Sequence, residues 1–298
     1  MSYNEIWGTQ NAFDRYEAIR IRMPLAVFPT ETTQCTGLLE IADQFDAFVL
    51  DSFGVLNVGE TAIPGAVTCI QQLRARCKRL IVLTNAASYT RATAVRRYRA
   101  LGFDFAPNEV VSSRDVAVAR LDEVLPGARW GAIAAPDDQF SDIEAQVEHW
   151  SGQEVDGFLF LSSAALDADI LASLSAAIRH RKRPFVIANP DLVAPRETGL
   201  SKEPGYYANQ LADTLNIAPV FFGKPFNNAF DDAKDRLPGI QSHRIAMVGD
   251  TLHTDILGGA AAGFRTVLVR DHGLFAGHAT ETFINRSGIV PDFSCSAI

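Results

Sequence analysis

From Leu38 onward, short apolar runs alternate with longer amphipathic stretches. The runs Phe48–Leu50, Leu80–Leu83, Val110–Ser112, Val220–Phe222, Ile245–Val248 and Thr266–Val269 are rich in Val, Ile, Leu and Phe and show no two-residue alternation. That pattern predicts strands buried on both faces, as in a parallel sheet covered by helices. The stretches between them carry helix signals. Pro64-Gly65 precedes Val67, Ile70 and Leu73 on one face. Thr90 is placed to cap a helix running to Leu101, with Gly102 past its end, and Thr254 to cap Asp255–Ala262, with Gly263 in the left-handed position. The fold class is α/β, built from βαβ units.

A second series of elements lies between Ser113 and Pro195. Strands are expected at Trp130–Ala134, Phe158–Leu161 and Phe185–Ala188, and helices near Val116–Val124, Phe140–Trp150 and Ile170–Arg181. They read as a small α/β module inserted into the first domain. Before Leu38, Tyr16–Ile21 suits a helix, but Pro24 and Pro29 break the stretch after it. The expected division is an N-terminal arm at 1–36, a discontinuous core domain at 37–112 and 196–298, and an inserted domain at 113–195. A chain of 298 residues suits two domains at about 150 residues each.

Charge and cysteine usage narrow the function. Lys and Arg number 27 against 35 Asp and Glu, a net charge of −8, with no long basic block. Nucleic acid and anionic membranes are therefore poor partners. Runs such as Leu80–Leu83 are far shorter than the roughly 20 apolar residues of a membrane span. Glu5, Asp14 and Glu17, with no apolar segment beside them, argue against a secretory signal. Cys35, Cys69, Cys77 and Cys295 form no paired spacing and are expected to be free thiols in a cytoplasmic protein. A soluble enzyme or ligand-binding protein remains.

In open parallel sheets, ligands bind beyond the carboxyl ends of the strands. Asp51 follows the first expected strand, Thr84 and Asn85 the second, Gly223-Lys224-Pro225 the fourth and Gly249-Asp250 the fifth, with Asp255 shortly after. Any one of these alone reads as a turn, a cap or a solvated charge. Together, in this order, they suit phosphoryl transfer. Asp51 can attack phosphorus. Asp51 and Asp250 can hold Mg²⁺, a hard cation that prefers oxygen. Lys224 offsets the charge of Asp51 and the phosphoryl group. Thr84, Asn85 and nearby backbone N–H groups can hold phosphoryl oxygens. Asp255 can orient Lys224 or a metal-bound water.

At Phe48-Val49-Leu50-Asp51, Leu83-Thr84-Asn85, Gly223-Lys224-Pro225 and Gly249-Asp250 through Thr254-Asp255, the sequence resembles the haloacid dehalogenase (HAD) superfamily. It is most similar to class IIA, the NagD-like and 4-nitrophenylphosphatase-like phosphatases. Pro64-Gly65-Ala66, Leu101-Gly102-Phe103, Glu109–Ser113, Ala188-Asn189-Pro190-Asp191 and Thr254–Gly263 look like that branch too, so the likeness covers about residues 38–275. It implies a HAD-type, Rossmann-like core with an inserted C2-type cap, Mg²⁺ as cofactor, an aspartyl-phosphate on Asp51, a third metal contact through the Phe53 carbonyl, and a homodimer formed through the cap. The spacing agrees. Asp51 and Thr84 are 33 residues apart, room for one helix, whereas Thr84 and Lys224 are 140 apart, so the lid must lie between them. Dehalogenases and phosphonate hydrolases place theirs earlier, which disfavours both activities.

One residue departs from the resemblance. Two positions after the nucleophile most such phosphatases carry an Asp that protonates the leaving group; here it is Phe53. Losing a general acid costs about 10²–10⁴-fold. The expectation is a Mg²⁺-dependent phosphohydrolase of a small phosphorylated metabolite, limited to good leaving groups. The alternative is a catalytically weak protein that binds or senses such a metabolite. Asn189 and Asp191 on the cap's return strand could touch substrate, and Asp191 could supply the proton. His253 has a suitable intrinsic pKa but is expected at the surface. Ser52 and the pair Tyr206-Tyr207 are expected to be structural.

Overall fold

A computed structural model describes residues 7–196 and 199–298, so the first six residues of the expected arm, including Glu5, and two residues assigned to the core lie outside the described residues. Its larger sheet has seven parallel strands in the spatial order Thr33–Gln34, Phe293–Cys295, Arg265–Val269, Ile245–Gly249, Ala47–Leu50, Arg79–Thr84 and Val110–Ser112. Every residue of the central Ala47–Leu50 strand is buried. Phe48 and Leu50 pack with Val82 and Val248 on one face, while Ala47 and Val49 pack with Ile81, Leu83 and Met247 on the other. This two-sided burial is why the apolar runs are unbroken. Register then fixes the site. Val248 lies beside Leu50 and Leu50 beside Val82, so the strands carrying Asp51, Thr84 and Asp250 end level with one another.

The helix signals are largely borne out. Ala66–Ala75 starts at left-handed Gly65, and Arg91–Ala100 is capped by the Thr90 hydroxyl, which accepts from the Thr93 N–H. Thr254 is a correction. It lies inside a wide turn, Leu252–Ile256, that leads into the helix Leu257–Ala261, and the loop is closed instead by Asp255 accepting from the Thr251 N–H at 3.1 Å. The expected helix near Val116–Val124 is two short ones, Ser113–Val118 and Leu121–Val124.

The second sheet is also parallel, in the order Val220–Phe221, Phe185–Ile187, Gly157–Phe160, Arg129–Ile133 and Gln146–His149. Two expectations are corrected here. The stretch Phe140–Trp150 holds no helix; Phe140 has a left-handed φ of 52°, and Gln146–His149 forms a mostly exposed edge strand. Val220–Phe221 belongs to this sheet and not to the core sheet, since it pairs with Phe185–Ile187. The inserted region therefore does not end at 195. A hairpin, Val193–Arg196 with Gly199–Lys202, and the helix Pro204–Leu215 come next, and the chain regains the core only at Gly223-Lys224. Gly223 has φ 123°, and a Cβ there would lie 2.6 Å from Asn85 Oδ1 and 2.7 Å from Pro190 Cδ. Only glycine allows the three segments to meet so closely.

The arm forms the helix Thr9–Ala18 and lies across both regions. Its Ala12, Phe13, Tyr16 and Ile19 are buried with Leu252 and Ile256 of the core and with Leu192 and Val193 of the hairpin. Fully burying an aromatic such as Phe13 contributes about 1.5–3 kcal/mol. The Tyr16 hydroxyl accepts from the Leu192 N–H at 3.0 Å, and Thr9 Oγ1 donates to the Leu274 carbonyl at 2.8 Å. Thr33–Gln34, expected in the arm, instead extends the core sheet. No helix among the described residues is long and apolar enough to cross a membrane.

Candidate active site

Asp51 begins where the central strand ends, and its N–H still donates to the Val248 carbonyl at 2.8 Å. Its carboxylate Oδ1 lies 2.6 Å from Lys224 Nζ, which also reaches Asp255 Oδ1 at 2.7 Å. Lys224 is buried, so the solvated-charge reading is excluded for it. Asn85 holds it there. Asn85 Oδ1 accepts from the Lys224 N–H at 2.7 Å, and Asn85 Nδ2 donates to the Lys224 carbonyl at 2.9 Å and to Asp191 Oδ1 at 2.8 Å. Both amide protons are thereby used. Asn85, expected on phosphate, is in this structure a brace between the Lys224 loop and the cap's return strand. Thr84 Oγ1 accepts from the Ala86 N–H and faces the cavity, so its own proton remains available to a ligand.

Asp250 lies one strand over. Oδ2 accepts from the Leu274 N–H at 2.6 Å and Oδ1 from the Thr251 hydroxyl at 3.0 Å. Gly54, at φ 80°, gives it room: a Cβ at that position would lie 2.8 Å from Asp250 Cγ. Asp51, Asp250 and Asp255 each bring a carboxylate oxygen within 4.8 Å of the others. Asp255 serves Lys224 and the Thr251 N–H and does not line the cavity, whereas Asp51 and Asp250 do, so these two are the carboxylates open to a ligand. One lysine does not balance three buried carboxylates. Burial, with Asp255 adding to it, pushes Asp51 up to about 7 despite Lys224. Burial and the neighbouring Asp255 and Asp51 push Asp250 well above the usual carboxylate range. Burial lowers the Lys224 ammonium, but Asp255, Asp51 and Asp191 outweigh it, and Lys224 stays charged. A divalent cation between Asp51 and Asp250 would relieve this excess of negative charge, and hard carboxylate oxygens suit Mg²⁺. The residues present fit the metal.

Asp51, Thr84, Asn85 and Asp250 floor a cavity of about 230 Å³ whose other walls include Phe53, Asp191 and Arg196. Burial pushes the Asp191 carboxyl up to about 8, Asp51 adds to the rise, and Lys224 and Asn85 oppose it. Asn189 lines the cavity too; its Oδ1 accepts from the Asp191 N–H at 3.0 Å and its Nδ2 donates to Glu203 at 3.2 Å. Phe53 is half-buried, and the Arg196 guanidinium lies 4.9 Å above its ring.

His253, expected at the surface, is 0% exposed and stacks on Tyr16 at 5.0 Å. Its Nε2 lies 2.5 Å from Glu17 of the arm, and burial holds its pKa below the usual histidine value. It does not line the cavity. Ser52 donates to Asn57 Oδ1 at 2.8 Å, and Tyr206 packs edge-on to Trp7 at 4.7 Å; both are structural, as expected. Sequence reasoning missed Arg196, Glu203 and Arg114. Arg114, fully buried, binds Asp138 and Asp142 and the Ala87 carbonyl where the chain enters the second sheet. Isolated charges in loops carry no spacing signal that would reveal such partners.

Two family models match the chain, a haloacid dehalogenase-like hydrolase model over residues 48–145 and a HAD-hydrolase-like model over 221–294. An acid sugar phosphatase of Staphylococcus aureus is 26% identical over 251 residues, covering 84% of this chain and 94% of the relative. A possible sugar phosphatase from Cytophaga hutchinsonii has a similar structure, with TM-score 0.79 and 26% identity over 89% of this chain and 98% of that one. So does a glycerol phosphate phosphatase from Mycobacterium tuberculosis in complex with magnesium, with TM-score 0.69 and 25% identity over 85% and 74% of the two chains. A 4-nitrophenylphosphatase from Thermotoga maritima shares the fold, with TM-score 0.72 and 23% identity over 86% and 96%. With its strand-end carboxylates, its buried lysine and its inserted second sheet, the chain belongs to the haloacid dehalogenase-like hydrolases, in the class IIA branch of phosphatases.

Proposed function

We propose that this chain is a Mg²⁺-dependent phosphohydrolase of small phosphorylated metabolites that works through an aspartyl-phosphate on Asp51. The observation that carries the reading is the Asp51–Lys224–Asp255 contact, with Asp250 on the adjacent strand end and with Asp51 and Asp250 opening onto one cavity. An oxygen of Asp51 attacks phosphorus, and the bond from phosphorus to the leaving oxygen breaks. Lys224, held by Asp255 and Asn85, offsets the charge shared by Asp51 and the phosphoryl oxygens. The Thr84 hydroxyl donates to one of those oxygens. Mg²⁺, held by Asp51, Asp250 and the Phe53 carbonyl, would supply further charge neutralisation on the phosphoryl group. Water then hydrolyses the aspartyl-phosphate, releasing phosphate and restoring Asp51.

Phe53 supplies no proton. Leaving groups of low pKa need none, so acyl and aryl phosphates are the favoured substrates. Of the raised cavity carboxyls, Asp51 is assigned to attack and Asp250 to the metal, which leaves Asp191, at about 8, to carry a proton near neutral pH. It can protonate a more basic leaving oxygen and take a proton back from the attacking water. The test is a hydrolysis panel of acyl, aryl and alkyl phosphates in Mg²⁺, with wild type beside Asp51→Asn. Turnover by wild type alone supports the proposal. Equal background rates for both proteins overturn it in favour of a binding protein, the reading that Phe53 otherwise favours.

A further inference from the structure

Arg196 sits at the end of the hairpin strand Val193–Arg196, on the cavity wall opposite Asp51's floor. Its guanidinium is not free to wander. Nη2 donates to Glu203 Oε1 at 2.9 Å and Nε to Ser201 Oγ at 2.9 Å. Ser201 Oγ itself donates to the same Glu203 oxygen at 2.6 Å. Glu203 is only 7% exposed, and its other oxygen accepts from Asn189. The ring of Phe53 supports the guanidinium from below at 4.9 Å. This is a built arrangement, with a buried carboxylate, a hydroxyl and an aromatic face all orienting one cation. The contacts use the Nε–Nη2 edge. No bond from Nη1 to any described residue accompanies them, so the Nη1 end can still serve a ligand.

The position matters because Phe53 stands two residues from Asp51 and lines the same cavity. A leaving oxygen there meets a fixed cation in place of an acid. A guanidinium does not give up its proton, so it cannot protonate an alkoxide. It can bind a group that is already anionic, and planar carboxylates match its fork. We propose that Arg196 selects phosphorylated acids, in which the departing part of the substrate carries a carboxylate held at the Nη1 end above the Phe53 ring. This rests on the phosphohydrolase reading for turnover but not for binding, which allows the two to fail separately.

The first measurement is kcat and KM in Mg²⁺ for a matched pair, 3-phosphoglycerate and glycerol 3-phosphate. A charge-assisted contact of this kind corresponds to about ten- to hundredfold in kcat/KM. Wild type should favour the acid by that order, and Arg196→Gln should remove the preference mainly through KM while changing glycerol 3-phosphate by no more than about threefold. Arg196→Lys should restore part of it. Equal losses on both substrates would mean that Arg196 merely supports the wall, and the proposal would fall. The second measurement is calorimetric titration of phosphonoacetate and ethylphosphonate into wild type and Arg196→Gln in Mg²⁺. Tighter binding of phosphonoacetate by wild type, lost in the variant, supports the proposal even where no ester is turned over. Equal affinity of wild type for the two phosphonates overturns it, and that result does not depend on any variant folding.

Discussion

The floor and the roof of the cavity are assembled by different means. On the floor, Asp51, Thr84 and Asp250 are placed by the backbone register of three adjacent parallel strands, and Lys224 is drawn to them by charge. On the roof, Asp191, Arg196 and Glu203 come from an irregular return and a hairpin, and side chains hold side chains: Asn85 to Asp191, Asn189 to Glu203, Arg196 to Glu203. A register shift on the floor would displace every group at once, whereas each roof contact can be lost singly. In the proposed mechanism the floor decides whether phosphorus is attacked, and the roof decides what may leave.

The floor should give the largest effects. Asp51→Asn removes the proposed nucleophile, and hydrolysis of any substrate in the panel should fall about 10⁴-fold or more, measured by phosphate release. Lys224→Met leaves Asp51 and Asp255 facing each other in a buried site without their cation. Breaking a buried pair from one side costs about 3–5 kcal/mol, so the urea midpoint should drop sharply as activity is lost. An unchanged midpoint would show that the ammonium does not balance the pair.

The legibility of the molecule divides along the same line. The core strands were readable because burial on both faces leaves unbroken apolar runs such as Phe48–Leu50. Lys224 was readable because it stands in Gly223-Lys224-Pro225 at a spacing that admits a lid. Gln146–His149 was not, because an exposed edge strand of Gln, Val, Glu and His carries no such run. Val220–Phe221 was readable as a strand, but composition does not say which sheet a strand joins. Arg196 and Glu203 looked like ordinary loop charges, and His253 looked exposed because the Glu17 that meets it lies 236 residues away in sequence.

Roof effects should be smaller and selective. Phe53→Asp restores an acid beside the nucleophile and should raise alkyl-phosphate turnover by about tenfold or more, despite the loss of ring packing under Arg196. Asp191→Asn should cost about 10²–10⁴-fold on alkyl phosphates and little on aryl ones, if Asp191 is the proton source. The pH profile carries the sign. Burial raises this carboxyl to about 8, so the proton-bearing form is present below that pH and is lost above it. Alkyl-phosphate turnover by wild type should therefore decline relative to aryl turnover as pH rises through that region. Parallel profiles would remove Asp191 from the reaction.

The smallest effect tests whether the roof leans on the arm. Arg15 Nη2 lies 2.5 Å from Asp213 Oδ2, Arg22 pairs with the other oxygen of Asp213, and Arg22 Nη1 donates to Asn209 Oδ1 at 2.9 Å. All three contacts join the arm to the helix Pro204–Leu215 behind the roof hairpin. On the core side, the arm is held by Arg286 to Asp14 at 2.7 Å and by Thr9 to Leu274. Asp213 is 40% exposed, so solvent and salt screen its two ion pairs. Exposed pairs contribute about 0–1 kcal/mol, and Asp213→Asn should lower the thermal midpoint slightly, with less effect at high salt. Because no cavity group is touched, kcat on an aryl phosphate should stay at the wild-type value. A change in substrate preference without a change in that kcat would show that the arm's grip on the roof helix reaches the hairpin that carries Arg196. A fall in kcat itself would place the arm's influence on the floor, through Tyr16, Glu17 and the His253 loop just after Asp250.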